Sequence, residues 1–357
     1  MLNLNNKILS IDIGSKSIKM VNGVQKGKKV VVDKAVTVDT PAGAFSDGYI
    51  TNIIGIKEAM IRGLKEMDHK AKHVVFTSKS TSVITRIIEV PVAKDKEMNS
   101  LIEFEIKQYL PINFEDYIVR YKKLNEFDDG KLKKCRVSVG VYPKDMAKGY
   151  WELAKELRLI PIALDLSSNC VNKLFNMDNV KINFENYSIY DTVAVIDMGY
   201  DQLELNIISN GVLEFTRIIQ GGGSFIDGNI ASHLGIDTHT AEEKKFKLCN
   251  LRQGKVLADE EKQTINDAVK LVLNRWQSDF NRMFDYFKSK NRETQISKIY
   301  TYGGTSDIKG LDEYMRNLFD VPIEKLETMS NIITIDLAYD IGIERYLNAI
   351  GAIIRLK

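Results

Sequence analysis

One turn near the N-terminus combines the residue types that a phosphate group and its metal ion require. It reads Asp12-Ile13-Gly14-Ser15, and Lys19 follows after a short alternating run. Because Gly14 has no side chain, the backbone can approach a phosphate closely, and the N–H groups after it can bind phosphate oxygens. Ser15 offers a hydroxyl donor and Lys19 a positive charge, whereas the acidic Asp12 suits a Mg²⁺ ion held through water. Taken alone, the pattern also fits a plain β-turn.

A second turn in the other half of the chain repeats part of this pattern. Asp197-Met198-Gly199 lies about half of the 357 residues further along. The small hydroxyl residue expected next is replaced by the bulky Tyr200. Asp201 then adds another anion, or forms a turn by bonding its own backbone. This half of a phosphate clamp is therefore weaker than the first, which favours nucleotide binding over rapid turnover.

Two glycine turns follow in the second half. Gly221-Gly222 precedes a predicted helix, where glycines permit close packing and bring helix N–H groups near an anion. Gly303-Gly304-Thr305 forms a strand-to-helix turn that a flat adenine ring could approach. Each turn also fits a purely structural role, but four such turns in this order favour a nucleotide site.

Similar elements surround the two aspartate turns. Each turn follows an apolar run and precedes an alternating run that ends in a hairpin signal, Asn22-Gly23 in one half and Asn210-Gly211 in the other. A helix predicted over residues 52–67 and a strand over 73–77 complete a β-β-β-α-β unit. Residues 83–157 have the pattern of a strand-helix-strand-strand-helix module. The sequence thus predicts two related lobes with an inserted subdomain.

Two further segments bear on this organisation. Residues 176–190 form a polar connector and a candidate hinge. Residues 260–291 form a long helix, whose continuous apolar stripe is better explained as core than as a cofactor-binding face.

Bulk composition describes an ordinary soluble globular chain. Apolar residues make up 44% and charged residues 27%, and a net charge of +2 argues neither for nor against nucleic acid. No pair of the three cysteines has metal-ligand spacing, so we expect reduced, partly buried thiols. No run of apolar residues is long enough to span a membrane, and the N-terminus lacks the apolar core of a signal peptide. A cytoplasmic protein is the expectation.

The four turns resemble those of the actin-like ATPase superfamily. This resemblance implies an α/β fold: an actin-like (ribonuclease H-like) duplicated two-lobed fold with an inserted small α+β subdomain. It also implies ATP and Mg²⁺ as cofactors, with Asp12 and Asp197 on the metal side through water, and with Glu242 and Lys245 near the ribose or base. The implied cofactor-binding residues are Asp12, Gly14, Ser15, Lys16, Ser17, Lys19, Asp197, Gly199, Gly221, Gly222, Glu242, Lys245, Gly303, Gly304 and Thr305.

A more specific resemblance is to the PilM family of type IV pilus assembly proteins. It rests on residues 11–21, 40–48, 86–91 and 103–111, the last of which resembles an acidic-aromatic helix ending in Gln108-Tyr109 and Pro111. The related FtsA proteins also carry an inserted subdomain but end in a membrane-binding amphipathic helix, whereas this sequence stops after a core-like helix. The implied parts are a first lobe (1–82 and 158–190, subdomain 1A), the insert (83–157, subdomain 1C), a second lobe (191–237 and 292–357, subdomain 2A) and a helical subdomain (238–291, subdomain 2B).

The family resemblance implies a scaffold for pilus assembly and twitching motility. It implies binding of the cytoplasmic N-terminal tail of a PilN-like inner-membrane protein, in a groove between the first lobe and the insert. Strand 82–90 and helix 97–110 are the expected walls, although Glu103 and Glu105 on that helix also fit a solvated face. A pilus assembly ATPase or platform protein is a further expected partner. Nucleic acid is not expected, and the protein would lie at the inner face of the membrane only through its partners.

Catalysis is the least defined expectation. No residue identifies itself as the group that positions a hydrolytic water, and Asp165 only lies in a plausible region of the first lobe. Two alternatives on the same fold remain open: an FtsA-like filament-forming division protein and a sugar-kinase-like phosphotransferase.

Overall fold

The computed structural model describes residues 7–68, 70–110, 113–252, 259–291, 294–335 and 342–355. The first half contains β1 (Ile8–Ile13), β2 (Ser17–Lys26), β3 (Lys29–Asp39), β4 (Phe45–Ser46), β5 (Tyr49–Ile50), α1 (Ile53–Met67), β6 (His73–Ser78), β7 (Ile84–Pro91), α2 (Asp95–Tyr109), β8 (Tyr117–Asp128), β9 (Lys133–Pro143), α3 (Lys144–Glu156), β10 (Ile160–Leu166) and α4 (Ser167–Phe175). The second half contains β11 (Lys181–Ile182), β12 (Glu185–Asn186), β13 (Thr192–Met198), β14 (Gln202–Ser209), β15 (Val212–Gln220), α5 (Gly223–Leu234), α6 (Thr238–Leu248), α7 (Glu260–Lys290), β16 (Lys298–Tyr302), α8 (Leu311–Arg316), β17 (Ile323–Lys325), β18 (Ile332–Thr334) and α9 (Leu347–Ile353).

The two large sheets repeat one topology. The first has the order β10-β6-β1-β2-β3-β18, and the second has the order β15-β14-β13-β16-β17. In each, the central strand is antiparallel to the next strand in sequence and parallel to a later one: β1 to β2 and β6, β13 to β14 and β16. Asp12 and Asp197 therefore occupy matching positions near the carboxyl ends of the two central strands. The repeat predicted from the two turns is present in the sheets.

Helices and neighbouring segments cover the sheets, so the central strands are buried on both faces. Every residue of β13 and β14 is buried. The long helix α7 places Val269, Trp276 and Phe280 in the core of the second lobe, so its apolar stripe is core, as expected. The three cysteines are free, and all are buried more deeply than the partly buried thiols that the sequence predicts. Within the described ranges, no helix is long and apolar enough to cross a bilayer.

The inserted subdomain is a three-stranded antiparallel sheet, β7-β9-β8, with α2 on one face. Alternation along β9 explains this packing: Val137, Val139 and Val141 point at Met98 and Ile102 of α2. The sequence also assigned α3 to the insert. Instead, α3 buries its apolar residues in the core of the first lobe, because its amphipathic stripe faces α1 and β6. The insert is thus smaller than the expected 83–157.

The C-terminal part of the chain returns to the first lobe. Residues 292–357 were expected to belong wholly to the second lobe, yet β18 pairs in parallel with β3, and α9 packs on α4 and β1. Every residue of α9 is buried, so this helix belongs to the hydrophobic core. A β-carbon on Gly351 would lie 2.1 Å from the carbonyl oxygen of Cys170, which shows how closely α9 crosses α4.

The predicted polar hinge is a packed segment. It holds the small hairpin β11-β12, and Met177, Val180, Ile182 and Tyr187 enter the core beneath the second sheet. Its apolar residues are spaced too irregularly to predict a helix or a strand. Their burial could therefore not be predicted from the sequence.

Candidate functional site

The carboxyl ends of the two central strands face each other across a cleft of about 990 Å³ between the lobes. Of the fifteen residues predicted to bind a cofactor, all but Gly222 and Gly303 line it. Loop 45–48, part of a stretch that carried the family resemblance, forms another wall. The four turns that sequence analysis singled out therefore meet in one place.

The first turn is tight at Gly14. Its N–H donates to the carbonyl of Ser17 over 3.0 Å, and its own carbonyl accepts from the hydroxyl of Thr40 at 2.6 Å. A β-carbon at Gly14 would lie 3.1 Å from the Ser17 carbonyl oxygen, so the narrow turn favours glycine. Ser15, Lys16 and Ser17 line the cleft beside this turn.

The second turn brings three backbone segments together. The carbonyl of Gly199 accepts from the Gly223 N–H at 3.0 Å and from the Thr305 hydroxyl at 2.9 Å. A β-carbon at Gly222 would lie 2.3 Å from that same carbonyl oxygen. Gly303 has a φ of 93°, and a β-carbon there would lie 2.6 Å from Asp197 Oδ1. Gly222 and Gly303 thus shape the cleft by permitting close backbone approach and do not line it.

The two metal-side aspartates already have protein donors. Asp12 accepts from the hydroxyl of Thr77 at 2.5 Å, and Lys19 lies 4.0 Å away. Asp197 accepts from the ammonium of Lys79 at 2.9 Å and from the side-chain amide of Asn348 at 3.2 Å. Within the described ranges, no cluster of three or more histidine, cysteine, aspartate or glutamate side chains is arranged to hold a metal.

Sequence reasoning missed Lys79 and Asn348. Lys79 directly follows β6, and β6 is parallel to β1, so its carboxyl end meets the same edge of the sheet. The sequence predicted the order of these elements but not the parallel pairing of β6 with β1, which is what brings the residues after β6 to this edge. Asn348 lies on α9, which sequence analysis placed on the other lobe.

A buried glutamate lies behind Asp197. Glu204 is the register partner of Asp197 on β14, and it accepts from the hydroxyl of Ser167 at 2.8 Å. Burial raises the pKa of Glu204 to about 7, although Lys79 acts to lower it. Burial also acts to raise the pKa of Asp197, but the ammonium groups of Lys79 and Lys19 outweigh it and hold that pKa below its ordinary value.

Glu242 and Lys245, predicted to reach the ribose or base, are both engaged. Lys16 pairs with Glu242 across the cleft at 2.5 Å. The ammonium of Lys245 lies 2.6 Å from Asp227 Oδ1, and both side chains are almost fully buried. Burial raises the pKa of Asp227, while Lys245 acts to lower it. Lys245 therefore lines the cleft mainly as a structural cation.

Asp165 does not line the cleft. Its carboxylate accepts from Lys173 at 2.9 Å, from Arg355 at 3.0 Å and from Asn169 at 2.7 Å. Burial acts to raise its pKa, but Lys173 and these hydrogen bonds hold it below the ordinary value. Asp165 instead borders a second groove.

The second groove, of about 870 Å³, lies between the insert and the two lobes. The face of the insert sheet opposite α2 forms one wall, including Ser138, Gly140 and Tyr142 of β9. The other walls come from α4 and from β15 of the second lobe, and Arg136 bridges to Glu214 at 2.6 Å. Residues of strand 82–90 line this groove, whereas helix 97–110, the other wall expected for a peptide groove, covers the opposite face of the sheet.

Comparisons with known proteins agree with this fold. A family described as type IV pilus assembly protein PilM matches residues 10–351. A solved PilM-PilN type IV pilus biogenesis complex aligns with a TM-score of 0.80 at 19% identity, covering 97% of each chain. The ethanolamine utilization protein EutJ of Carboxydothermus hydrogenoformans aligns with a TM-score of 0.55 at 12% identity, over 99% of this chain and 92% of its own.

A protein solved with a bound nucleotide analogue also shares the fold. MreB5 of Spiroplasma citri bound to AMPPNP aligns with a TM-score of 0.54 at 11% identity, over 97% of this chain and 95% of its own. The prediction of an α/β, actin-like two-lobed fold is thereby confirmed, and nucleotide-bound proteins are among those that share it. The match to the family model extends over nearly the whole sequence. This chain therefore belongs to the PilM family of type IV pilus assembly proteins.

Proposed function

We propose that this protein is a scaffold that holds ATP in the cleft between its lobes and a PilN-like peptide in the groove beside its insert. The observation that carries the nucleotide half is the convergence of the aspartate and glycine turns on one cleft of about 990 Å³. Such a volume suits a ligand of nucleotide size. MreB5, which shares the fold, has been solved with AMPPNP and with ADP.

The phosphates would lie against the first turn. Ser15 and Ser17 supply hydroxyl donors there, and Lys19 supplies charge next to Asp12. The adenosine would lie towards Gly304 and Thr305, with Glu242 near the ribose. Magnesium is predicted to accompany the nucleotide at Asp12 and Asp197. Those carboxylates already accept hydrogen bonds from Thr77, Lys79 and Asn348.

We expect hydrolysis to be slow or absent. Asp165 is engaged by Lys173 and Arg355 at the other groove, so it does not face the cleft. The second turn offers Tyr200 where a small hydroxyl residue would help to hold a phosphate. ATP would then act as a structural ligand of the two lobes, since a ligand that binds only the folded state stabilises it.

The peptide half of the proposal rests on the second groove. The related complex pairs PilM with PilN, and by analogy we assign the cytoplasmic N-terminal tail of a PilN-like protein to this groove. Strand β7 is an edge strand of the insert sheet and β15 is an edge strand of the second-lobe sheet, and the two approach each other there. An extended peptide can bond to such an edge through its backbone and place alternate side chains in pockets. Association with the inner face of the membrane, and with an assembly ATPase or platform protein, would follow through such partners.

Filling the groove tests this assignment. A β-carbon on Gly140 would meet no atom within 4 Å, so Gly140→Trp can fill the groove without disturbing the covered face of the sheet. We expect it to weaken binding of a synthetic PilN-like tail at least about tenfold in calorimetry. Leu132→Trp, on an exposed turn of the insert away from the groove, is the matched control. Equal binding by both variants would place the peptide elsewhere.

A further inference from the structure

Lys79 lies between the lobes at the point where the two central strands end. It follows β6 of the first lobe, and its ammonium lies 2.9 Å from Asp197 Oδ2 of the second. Its side chain is 19% exposed and lines the cleft. A β-carbon on Gly199 would lie 3.2 Å from this ammonium, so the charge rests against the second turn.

The donors around Asp197 leave little room for a metal-bound water. Oδ2 accepts from both Lys79 and Asn348, and Oδ1 lies against the backbone of Gly303. Asn348 also reaches Asp12 Oδ2 at 3.5 Å, so one amide links the two carboxylates. Magnesium requires near-octahedral geometry and keeps several of its waters. A hydrated ion between these carboxylates would have to displace Lys79 or Asn348, and the residues present do not fit it.

Charge is balanced at this place without a metal. Two lysines, Lys19 and Lys79, face two aspartates, Asp12 and Asp197. The 2.9 Å ion pair with Asp197 holds the ammonium of Lys79 at this place. A lysine ammonium is a compact point charge, which suits it to neutralise a carboxylate where a metal ion would otherwise do so.

We infer that the ammonium of Lys79 stands in for the divalent cation of the cleft. It neutralises Asp197, so that carboxylate does not repel the nucleotide phosphates, and ATP binding by this chain does not require Mg²⁺. This inference rests on the proposed nucleotide site. In that site, Lys79 takes the place of the metal ion predicted at Asp12 and Asp197.

The test measures ATP binding by the full chain with calorimetry, once with Mg²⁺ and once with EDTA. We expect the dissociation constants of the unaltered protein to agree within about threefold. Lys79→Met keeps a stem of similar length but removes the charge. In that variant we expect EDTA to weaken ATP binding at least about tenfold relative to Mg²⁺. Lys79→Arg should retain metal independence.

The control is Lys57→Met, which removes a partly exposed lysine of α1 that pairs with Glu156. It should behave as the unaltered protein does. Binding by the unaltered protein only in the presence of Mg²⁺ would overturn the inference and leave the nucleotide site standing. Absence of ATP binding in both solutions would overturn the nucleotide site, and the inference with it. Since the first comparison needs no variant, a fold defect in Lys79→Met cannot obscure the result.

Discussion

Lys16 of the first lobe and Glu242 of the second form an ion pair across the cleft, with 2.5 Å between Nζ and Oε2. The same ammonium lies 5.2 Å from the centre of the Tyr200 ring. Burial acts to lower the pKa of Lys16, but Glu242 raises it above its ordinary value. Because Lys16 belongs to the turn proposed to bind phosphate, the pair holds a cation of that turn on the residue predicted to meet the ribose.

Neutralising Glu242 should therefore strengthen nucleotide binding. In Glu242→Gln the amide can still bond a ribose hydroxyl, while Lys16 is released to the phosphates. We expect ATP to bind about two- to fivefold more tightly, since an ion pair near the protein surface contributes up to about 1 kcal/mol. Titration with a fluorescent ATP analogue measures the change. Glu243→Gln, at the next and more exposed position, is the control and should have no effect. Weaker binding by Glu242→Gln would show that the ribose needs the carboxylate itself.

The buried pair Lys245–Asp227 should support the second lobe. Lys245→Met leaves Asp227 buried without its cation, and such a loss costs about 3–5 kcal/mol. We expect a clearly lower urea midpoint. Lys244→Met removes the neighbouring lysine, whose partner Glu261 is solvent-exposed, and should cost under about 1 kcal/mol. Equal midpoints for the two variants would mean that Asp227 is protonated and needs no partner.

The framework of this protein could be predicted from local patterns. Asp12 and Asp197 each follow an apolar run and precede a hairpin signal, and these features place both at the ends of central strands. Burial patterns of α1 and α7 follow from their helical period. These patterns act over a few residues, so one sequence suffices to recognise them.

What escaped prediction depends on contacts between distant parts of the chain. Asn348 reaches Asp12 as well as Asp197 because α9 packs on α4 and β1 of the first lobe, and no local pattern indicates on which lobe an apolar helix will pack. Lys79 is one lysine among many until the register of β6 with β1 brings it to Asp197. Likewise, Asp165 pairs with Arg355 near the C-terminus and lies outside the cleft, so it does not take the water-positioning role for which its region of the sequence was considered.

Because of Glu204, we expect the free energy of unfolding to decrease as the pH rises from about 4.5 to about 7. Its pKa is raised from 4.5 to about 7, so between these values the folded protein keeps a proton that the unfolded chain has lost. Stability from this group is thus fully present below the unfolded pKa and is lost as pH rises to the folded one. Glu204→Gln stays neutral at all pH values. We expect its stability relative to the unaltered protein to increase by about 3 kcal/mol between about pH 4.5 and 8. Denaturant unfolding at several pH values measures this, and a difference independent of pH would contradict it.

The crossing of α9 over α4 predicts a large effect from one methyl group. In Gly351→Ala the new β-carbon would lie 2.1 Å from the Cys170 carbonyl oxygen, a backbone atom that cannot rotate away. We expect a loss of about 3 kcal/mol or more, since overpacking forces backbone shifts. Gly228→Ala in α5 is the matched control, because its β-carbon would meet no atom within 4 Å and alanine favours a helix by about 1 kcal/mol. Thermal unfolding compares them. An unchanged melting temperature of Gly351→Ala would show that α9 does not pack on the first lobe. Since α9 carries Asn348, we also expect Gly351→Ala to weaken ATP binding.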